Sequence, residues 1–581
     1  MKIALAQISP VTGDLKGNIE KILKEVAIAR EKEADIVIFP EMAITGYCIS
    51  DLIEDKDFVI KNKEIMKEIV KNTEGIAIVI GFVDYDKEKT NEDGKIRKYN
   101  AAAVLQNNKI AGIAHKTLLP NYRYFDDKRY FSSGEERKPI DVKINGKTIK
   151  LGVSICEDMW DADYEAKPVK ELAEKGADVI ININASPFTP GKFAKRDAII
   201  TRHIKENGLP FVYLNTAGSA DNGKNIIPFD GESLVYDCFG NLIARGKKFE
   251  EEMLFAELDL KRKGIPIEKP EFNREKEIYE ALVISLKDYA KQAGFKRAII
   301  PISGGIDSSL GLAICVEAFG KENIIAYNLP SKFNTEITKS IAERLARNLG
   351  IEYRIIPIQE IDNKVREIFE ANNHKIENKT AKENLHARIR GILMMLESND
   401  IGALLISNGN KTEIALGYST LYGDMCGGIS VIGDLSKVDV YKISSYVNEK
   451  FGREIIPEEA FTIKPSAELS EGQYDPFDYY VTSPIVNEFV EKRKSPQEII
   501  QEFKEKRLNK ERFAKDPEGK SVYDKHDIKS FAKLIYETYD LLKKSVYKRL
   551  QGPPIIAVTE RAFGFDLRET LINKWEGKYE T

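Results

Sequence analysis

The chain has 581 residues, with 88 Lys and Arg against 92 Asp and Glu, and a formal net charge of -4. This length predicts several domains, while the nearly balanced charge excludes a polybasic nucleic-acid-binding surface and an acidic tail. A charged fraction of 31% and a hydrophobic fraction of 42% exclude a disordered chain. No apolar run approaches the roughly 20 residues that cross a bilayer, and Met1–Gln7 reads as a strand rather than a signal peptide. We therefore expect a globular protein with neither nucleic-acid nor membrane partners.

The five cysteines are far apart and include no Cys-x-x-Cys pair, so neither a disulfide framework nor a zinc site is predicted. They are Cys48, Cys156, Cys238, Cys315 and Cys426. Unpaired cysteines are typical of a reducing compartment, and we expect a cytoplasmic location.

Residues 1–260 alternate short apolar runs with amphipathic stretches. The predicted buried strands are Ile3–Ile8, Ile36–Phe39, Ile76–Val83, Ala101–Leu105, Ile149–Ile155, Val179–Ile183 and Phe211–Leu214. Between the first two strands, Asn18–Arg30 has apolar residues at helical spacing. Alternating strands and helices predict an α/β sandwich.

Three residues in this region suffice for amide hydrolysis. Glu41 and Cys156 each end an apolar strand, and Lys116 opens a loop. The glutamate can accept the thiol proton, the cysteine can attack the carbonyl carbon, and the lysine can stabilise the developing oxyanion. Each residue alone is better explained as a core cysteine, a turn glutamate or a solvated lysine. Their combination is what indicates catalysis.

The strings around these residues resemble the nitrilase, or carbon–nitrogen hydrolase, superfamily across 1–260. Cys156-Glu157-Asp158 and Leu119-Pro120-Asn121-Tyr122 look like its glutaminase branch. The resemblance implies an N-terminal α-β-β-α sandwich, and it implies that glutamine is gripped by Tyr122, Ser186 and Lys192. Asp127 stands where relatives usually have Glu and would position Lys116. His115 is expected to hydrogen-bond within the fold.

A second α/β pattern follows Lys261–Arg274, a stretch rich in charge, proline and glycine that is the best linker candidate. The elements predicted after it are helix Lys276–Gly294, strand Arg297–Ser303, helix Ser308–Phe319, strand Ile324–Leu329, helix Thr335–Leu349 and strand Tyr353–Pro357. This alternation predicts a doubly wound parallel sheet that binds ligands at the carboxyl ends of its strands. The charged stretch Val490–Lys529 is expected to form surface helices or a mobile insertion.

A glycine loop, residues 303–309 (Ser-Gly-Gly-Ile-Asp-Ser-Ser), joins the first strand and second helix of this pattern. Its glycines let the backbone curl, so that N–H groups and the helix N-terminus form an anion cradle. A carboxylate at Asp307 beside bound phosphates requires a metal cation. The loop lacks the spacing and lysine of a Walker A motif. Gly-Gly alone would indicate an ordinary capped turn, but the complete string resembles the pyrophosphate loop of ATP pyrophosphatases, which adenylate a substrate and release pyrophosphate.

Segments across 275–581 resemble NAD synthetase. They are Asn384–Arg390, Asn408–Glu413, Gly423–Gly428, Leu435–Val438, Pro465–Leu469, Lys548–Arg549 and Arg561–Gly564. The resemblance implies an ATP site formed by Ser303, Gly304, Gly305, Ile306, Asp307, Ser308, Ser309, Asn408, Lys437 and Ser466. It implies that Asp307 and Glu413 hold Mg²⁺. It implies a deamido-NAD site along Asn384, Arg388, Asp424 and Lys548. The chain differs from many relatives at Asn408 and from some relatives at Leu421 and Tyr547.

Together the resemblances imply a glutaminase domain at 1–265, a linker at 266–274 and an NAD synthetase domain at 275–581. The implied enzyme would adenylate deamido-NAD with ATP and Mg²⁺, and ammonia released from L-glutamine would arrive through an internal channel and displace AMP. Because both families tend to assemble, a homo-oligomer is also implied. Three alternatives stay open: an amidotransferase of another carboxylate or base, such as an asparagine or GMP synthetase; an amidase regulated by nucleotide; and a metabolite-binding scaffold.

Overall fold

A computed structural model describes residues 1–90, 94–575 and 577. The chain divides into two compact units. The first unit is Met1–Asn222 with Ile227–Asn273, and the second is Gly223–Ile226 with Arg274–Thr581. The predicted division into domains on either side of 266–274 stays a prediction. No helix within the described residues is long and apolar enough to span a membrane.

The first unit consists of two mixed sheets flanked by helices. Its strands are β1 (Lys2–Gln7), β2 (Ile36–Ile38), β3 (Ala77–Thr90), β4 (Ile96–Gln106), β5 (Lys109–His115), β6 (Ile140–Ile144), β7 (Lys147–Ile155), β8 (Val179–Asn184), β9 (Phe211–Asn215), β10 (Ala217–Asp221), β11 (Asn225–Asp230, of which the first two residues belong to the second unit), β12 (Leu234–Tyr236), β13 (Leu242–Arg245) and β14 (Glu252–Glu257). Its α helices are α1 (Leu15–Glu31), α2 (Lys56–Val70), α3 (Asp127–Tyr130), α4 (Pro168–Glu174) and α5 (Lys192–Asn207).

The two sheets pack face to face between the helices. One has the strand order β14-β1-β2-β3-β4-β5 and the other β13-β12-β9-β8-β7-β6. Because side chains alternate along a strand, Ile3 and Leu5 of β1 join the core between the sheets, together with Val153 of β7. The intervening Ala4 packs in the outer core that contains Ile22 of α1. The other sheet is covered on its outside by apolar residues of α4 and α5. The predicted α-β-β-α sandwich is therefore confirmed.

The second unit is built on a parallel sheet. Its strands are β15 (Ala298–Pro301), β16 (Ile324–Asn328), β17 (Glu352–Ile355), β18 (Leu404–Ser407), β19 (Ile429–Ser430) and β20 (Ile555–Ile556). Its α helices are α6 (Arg274–Gln292), α7 (Ile306–Phe319), α8 (Glu336–Leu349), α9 (Gln359–Ala371), α10 (Lys379–Ile401), α11 (Lys411–Leu416), α12 (Lys437–Phe451), α13 (Glu459–Thr462), α14 (Tyr479–Val490), α15 (Pro496–Lys504), α16 (Val522–Lys525), α17 (Ile528–Lys544) and α18 (Val546–Arg549).

Strands of this sheet follow the order β20-β19-β18-β15-β16-β17 and pair in parallel. Ile299 of β15 packs with Met394 of α10, whereas the next residue, Ile300, lies against Gly311 of α7. Helices thus cover both faces, and the predicted doubly wound parallel sheet is confirmed. The segment Asn225–Ile226 pairs in parallel with β20 and extends the sheet.

Of the two alternatives predicted for Val490–Lys529, surface helices are observed, since the stretch contains α15 and α16 and most of its residues are partly or fully exposed. Ile499 and Phe503 of α15 are buried in a core that also contains Phe531 of α17, and the rings of Phe503 and Phe531 stack with centroids 4.1 Å apart. The apolar residues of α15 lie on one face of the helix. That face packs on the core, and the charged residues stay on the surface.

Candidate active sites

The first site joins Glu41, Lys116 and Cys156 at strand ends. Glu41 follows β2, Lys116 follows β5 and Cys156 follows β7. The Lys116 ammonium is fully buried and donates to Glu41 Oε1 at 2.8 Å and to Asp127 Oδ2 at 2.7 Å. Burial lowers the pKa of Lys116, but Asp127 and Glu41 raise it well above its ordinary value. Lys116 is therefore a fixed positive charge that Asp127 contacts, and the role of Asp127 in positioning it stays a prediction.

Glu41 is held by further donors to both of its oxygens. Asn100 donates through Nδ2 to Glu41 Oε1 at 2.7 Å, and the backbone N–H of Ala185 donates to Oε2 at 2.7 Å. Asn100 is fully buried within β4. The sequence reasoning did not identify Asn100, although a buried polar residue inside an apolar run was an available signal.

Cys156 is buried and adopts a positive φ of 44°. Burial raises the pKa of its thiol well above the ordinary value, Glu41 raises it further and Lys116 opposes the rise. The resting thiol is therefore protonated and needs a base before it can act as a nucleophile. Glu41 is the carboxylate with the larger electrostatic influence on it. His115 lies outside this chemistry, since its Nε2 atom pairs with Asp84 Oδ2 at 2.9 Å.

Two of the predicted glutamine-binding residues, Tyr122 and Lys192, lie near enough to Cys156 to interact with its charge. Tyr122 donates its hydroxyl to Glu157 Oε2 at 3.0 Å, and Tyr164 donates to Glu157 Oε1 at 2.9 Å. Burial and Arg196 lower the pKa of Lys192 to about 7, while Asp230 and Cys156 oppose this. Lys192 Nζ donates to Pro187 O at 2.6 Å.

Ser186 follows Ala185, whose N–H contacts Glu41, and it donates its own N–H to Asn215 Oδ1 at 2.8 Å. Glu157 is a second residue that was not assigned, although it stands in the Cys156-Glu157-Asp158 string. Burial raises its pKa. A partly enclosed carboxylate beside the nucleophile is suited to receive a cationic group.

The glycine loop occupies the carboxyl end of β15, as the sequence predicts. Gly304 has φ +89°, and a Cβ there would lie 2.1 Å from Thr338 O. The hydroxyls of Ser308 and Ser309 donate to Gly305 O at 3.1 and 2.9 Å, so both bond back to the carbonyl that precedes α7 and leave its first N–H groups without a side-chain cap. The turn places the start of α7 at the carboxyl end of β15. The predicted metal ligands Asp307 and Glu413 lie close together there.

Lys437 at the start of α12 lies between the two predicted metal ligands. Its Nζ atom pairs with Asp307 Oδ2 and lies 3.6 Å from Glu413 Oε1. Asn410 also donates to Asp307 Oδ1 at 2.9 Å. Burial and Asp307 raise the pKa of Glu413 to about 8.

This arrangement fits a divalent cation that is completed by substrate phosphates. Mg²⁺ typically uses one or two carboxylates together with phosphate oxygens and water, rather than an all-protein cage. Two crowded carboxylates, Asp307 and Glu413, supply that set. Within 1–90 and 94–575, no cluster of three or more His, Cys, Asp or Glu side chains forms a ready-made metal site.

The four residues predicted for deamido-NAD gather around residues 417–424. Asn384 Oδ1 accepts from Thr420 Oγ1 at 2.8 Å, and Asp424 Oδ1 accepts from the Thr420 N–H at 2.7 Å. Arg388 donates to the carbonyl of residue 421 at 3.3 Å, and Lys548 donates to the carbonyls of residues 417 and 419, each at 2.7 Å. The structure therefore brings these four side chains to one loop.

Two of the residues predicted to bind ATP, Asn408 and Ser466, do not direct their donors toward the glycine loop. Asn408 donates through Nδ2 to Pro301 O at 2.8 Å, which places it at the end of β15 behind the glycine loop. Ser466 donates its hydroxyl to Gln473 O at 2.5 Å and accepts from the Glu468 N–H, so it is engaged within its own loop. Neither side chain points its donor at the cradle, and both assignments stay predictions.

Comparison with known proteins matches each part of the chain to a family. The carbon-nitrogen hydrolase family model matches residues 2–264, and the NAD synthase model matches residues 278–517. Fold and sites thus define a ligase class in which a carbon–nitrogen hydrolase unit is fused to an NAD synthase unit. The chain is 34% identical to the glutamine-dependent NAD(+) synthetase of Thermotoga maritima across 99% of both chains. It is 35% identical to that of Synechocystis sp. across 97% of both.

The chain belongs to the family of glutamine-dependent NAD(+) synthetases. The structure of the glutamine-dependent NAD+ synthetase from Acinetobacter baumannii in complex with ADP matches with a TM-score of 0.72 at 31% identity, over 100% of this chain and 99% of that one. A second structure, from Cytophaga hutchinsonii, has the same fold, with a TM-score of 0.80 at 19% identity over 99% and 98% of the chains.

Proposed function

We propose that this protein converts deamido-NAD to NAD, using ATP and ammonia that it releases from L-glutamine. The observation that carries the proposal is the buried Lys116, held between Glu41 and Asp127 beside Cys156. Such a cluster is suited to amide hydrolysis, and it occurs in a chain whose other unit presents a glycine loop and paired carboxylates. Family membership over the full chain supports the same reaction.

In the first unit, Glu41 accepts the Cys156 thiol proton as sulfur attacks the side-chain carbonyl carbon of glutamine. Lys116 stabilises the oxyanion that develops, because its charge is fixed before the reaction begins. Glu41 then returns the proton to the leaving nitrogen, and ammonia departs from a γ-glutamyl thioester. Water later hydrolyses that thioester to free glutamate. Lys192 supplies a cation for the carboxylate of the substrate, beside Tyr122 and Ser186.

In the second unit, the glycine loop and the start of α7 bind the triphosphate of ATP. Asp307 and Glu413 would hold Mg²⁺, which when bound offsets negative charge on the phosphate oxygens. A carboxylate is a poor acylating agent, so we infer that deamido-NAD is first joined to AMP and that pyrophosphate leaves. Lys437, which pairs with Asp307, would contact those phosphates. Asn384, Arg388, Asp424 and Lys548 line the dinucleotide.

Ammonia is mostly protonated in neutral water, and a protected route would keep it reactive. A small cavity beside Glu41 in the first unit is lined by Ser9, Tyr47, Thr216 and Ala217. We propose that this cavity receives ammonia as it leaves Cys156.

A cytoplasmic location suits a nucleophilic thiol that must stay reduced, and all five cysteines are unpaired. We also propose a homo-oligomer. The outer face of α10 carries Ile392 and Leu396, which are 67% and 66% exposed, on the helix that also carries Arg388. Gel filtration with light scattering tests this, and a single-chain mass of 65.7 kDa would contradict it.

The function is tested by supplying ATP, Mg²⁺ and either glutamine or ammonium with deamido-NAD, aspartate or XMP as acceptor. We expect NAD from deamido-NAD with either nitrogen donor, with one AMP and one pyrophosphate for each NAD. AMP formation only with aspartate or XMP would favour another amidotransferase. Glutamine hydrolysis without any AMP would favour an amidase that nucleotide regulates.

A further inference from the structure

Asp158, two residues after Cys156, connects the backbones on either side of the first site. Asp158 is buried, with only 2% of its surface exposed. Its Oδ1 atom accepts from the N–H groups of Thr117 at 3.0 Å and Leu118 at 2.8 Å, and its Oδ2 atom accepts from the Ile155 N–H at 3.0 Å. One carboxylate therefore binds the chain just after Lys116 and the chain just before Cys156.

These two stretches of chain end strands of different sheets. Lys116 follows β5, which pairs with β4 in one sheet, whereas Cys156 follows β7, which pairs with β6 and β8 in the other. Packed sheets are not joined by ladder hydrogen bonds, so the spacing between the two strand ends is free to vary with sheet packing. Asp158 supplies hydrogen bonds across that gap.

The chemistry of these hydrogen bonds makes them strong and directional. A carboxylate that accepts backbone N–H groups forms charge-assisted bonds, which are shorter and stronger than neutral ones. Its burial is costly unless the acceptors are satisfied, and both oxygens have donors here. A misplacement of about 1 Å in a catalytic group can lower a rate about 100-fold. The site therefore depends on how well this gap is fixed.

We propose that Asp158 is a positioning residue that sets the distance between the Lys116 ammonium and the Cys156 thiol. The inference rests on the proposed glutaminase reaction, and it assigns Asp158 no contact with substrate. Asp158 acts through the backbone of Thr117, Leu118 and Ile155.

The test replaces Asp158 with Asn, which has the same size but presents an N–H to one of its former donors. We expect the kcat of glutamine hydrolysis to fall about 100-fold, because the distance between the Lys116 ammonium and the Cys156 thiol is no longer fixed. The KM for glutamine should change less than about twofold, and NAD formation with ammonium should be unchanged.

Asp237→Asn is a matched control within the same unit. Asp237 is 1% exposed, and its carboxylate also accepts three backbone N–H groups, those of Phe239, Asn241 and Gly264. If Asp158 only stabilises the fold, the two variants should lose similar Tm and similar glutaminase kcat. Only the positioning role predicts a selective loss of kcat in Asp158→Asn.

An unchanged kcat in Asp158→Asn, or an equal loss in Asp237→Asn, overturns the inference. Amide hydrogen exchange of the wild-type protein gives an answer even if the variant does not fold. The Thr117, Leu118 and Ile155 amides should be protected, and exchange as fast as in an exposed loop would contradict the proposal. Absence of glutamine-driven activity in the wild type would instead refute the proposed function.

Discussion

Replacing Gly304 with Ala should disable the second site and leave the first site active. Gly304 has φ +89°, a backbone conformation that costs a residue with a side chain about 1–2 kcal/mol. The new Cβ would lie 2.1 Å from Thr338 O. Since carbon and oxygen approach to about 3.3 Å, the loop or the first turn of α8 has to move by about 1 Å. A shift of that size predicts about a 100-fold loss in kcat/KM for ATP.

Ammonium-driven NAD formation measures this effect without the glutaminase reaction. Gly294→Ala is the matched control, because Gly294 has φ +80° in the same unit and nothing within 4 Å of an added Cβ. This variant should lose stability only because alanine is strained at a positive φ, and its kcat/KM for ATP should be unchanged. If Gly304→Ala stays within about threefold of this control, the loop does not need its close approach to Thr338 and the argument for a fixed phosphate cradle fails.

Three further predictions test the proposed roles. Cys156→Ala should abolish glutamine-driven NAD formation and spare the ammonium-driven reaction, whereas Cys238→Ala should spare both; loss of both activities in Cys156→Ala would argue against separate sites. Asp307→Asn should stop pyrophosphate release while glutamine hydrolysis continues, and normal release would refute the metal assignment. Burial and Arg196 lower the pKa of Lys192 to about 7, so its charge is present below and lost above that pH. The glutamine KM should then rise about tenfold for each pH unit above 7, and a similar rise in Lys192→Arg would contradict the assignment.

The strands that the sequence predicted are those with continuous apolar runs. In the first unit, every predicted strand is present, although β3 and β4 are longer than predicted. β6 was missed although Ile140, Val142 and Ile144 alternate with polar residues along it. An alternating five-residue run is a weaker signal than a buried run, and only the packing of a neighbouring strand makes it a strand.

The site was predictable where a side chain follows a strand directly. Glu41 and Cys156 were proposed because each follows a buried apolar strand, and the structure brings the ends of these strands together although the strands belong to different sheets. Asn100 and the hydrogen bonds from Asp158 to Thr117 and Leu118 were not proposed, because their partners lie 59, 41 and 40 residues away in the chain. Such contacts leave no periodic pattern, since they depend on how two sheets pack. Local sequence therefore identifies reacting groups better than the groups that orient them.

The segment Asn225–Ile226 gives the second unit a strand from a distant part of the chain. Besides pairing with β20, Asn225 donates through Nδ2 to Phe563 O at 2.7 Å, and its Oδ1 accepts from the Phe565 and Asp566 N–H groups. A gene split at the end of the hydrolase sequence would thus yield a synthetase polypeptide with an open sheet edge and unpaired backbone groups. Open edges invite aggregation. The synthetase sheet therefore depends on a strand that the hydrolase part of the sequence supplies.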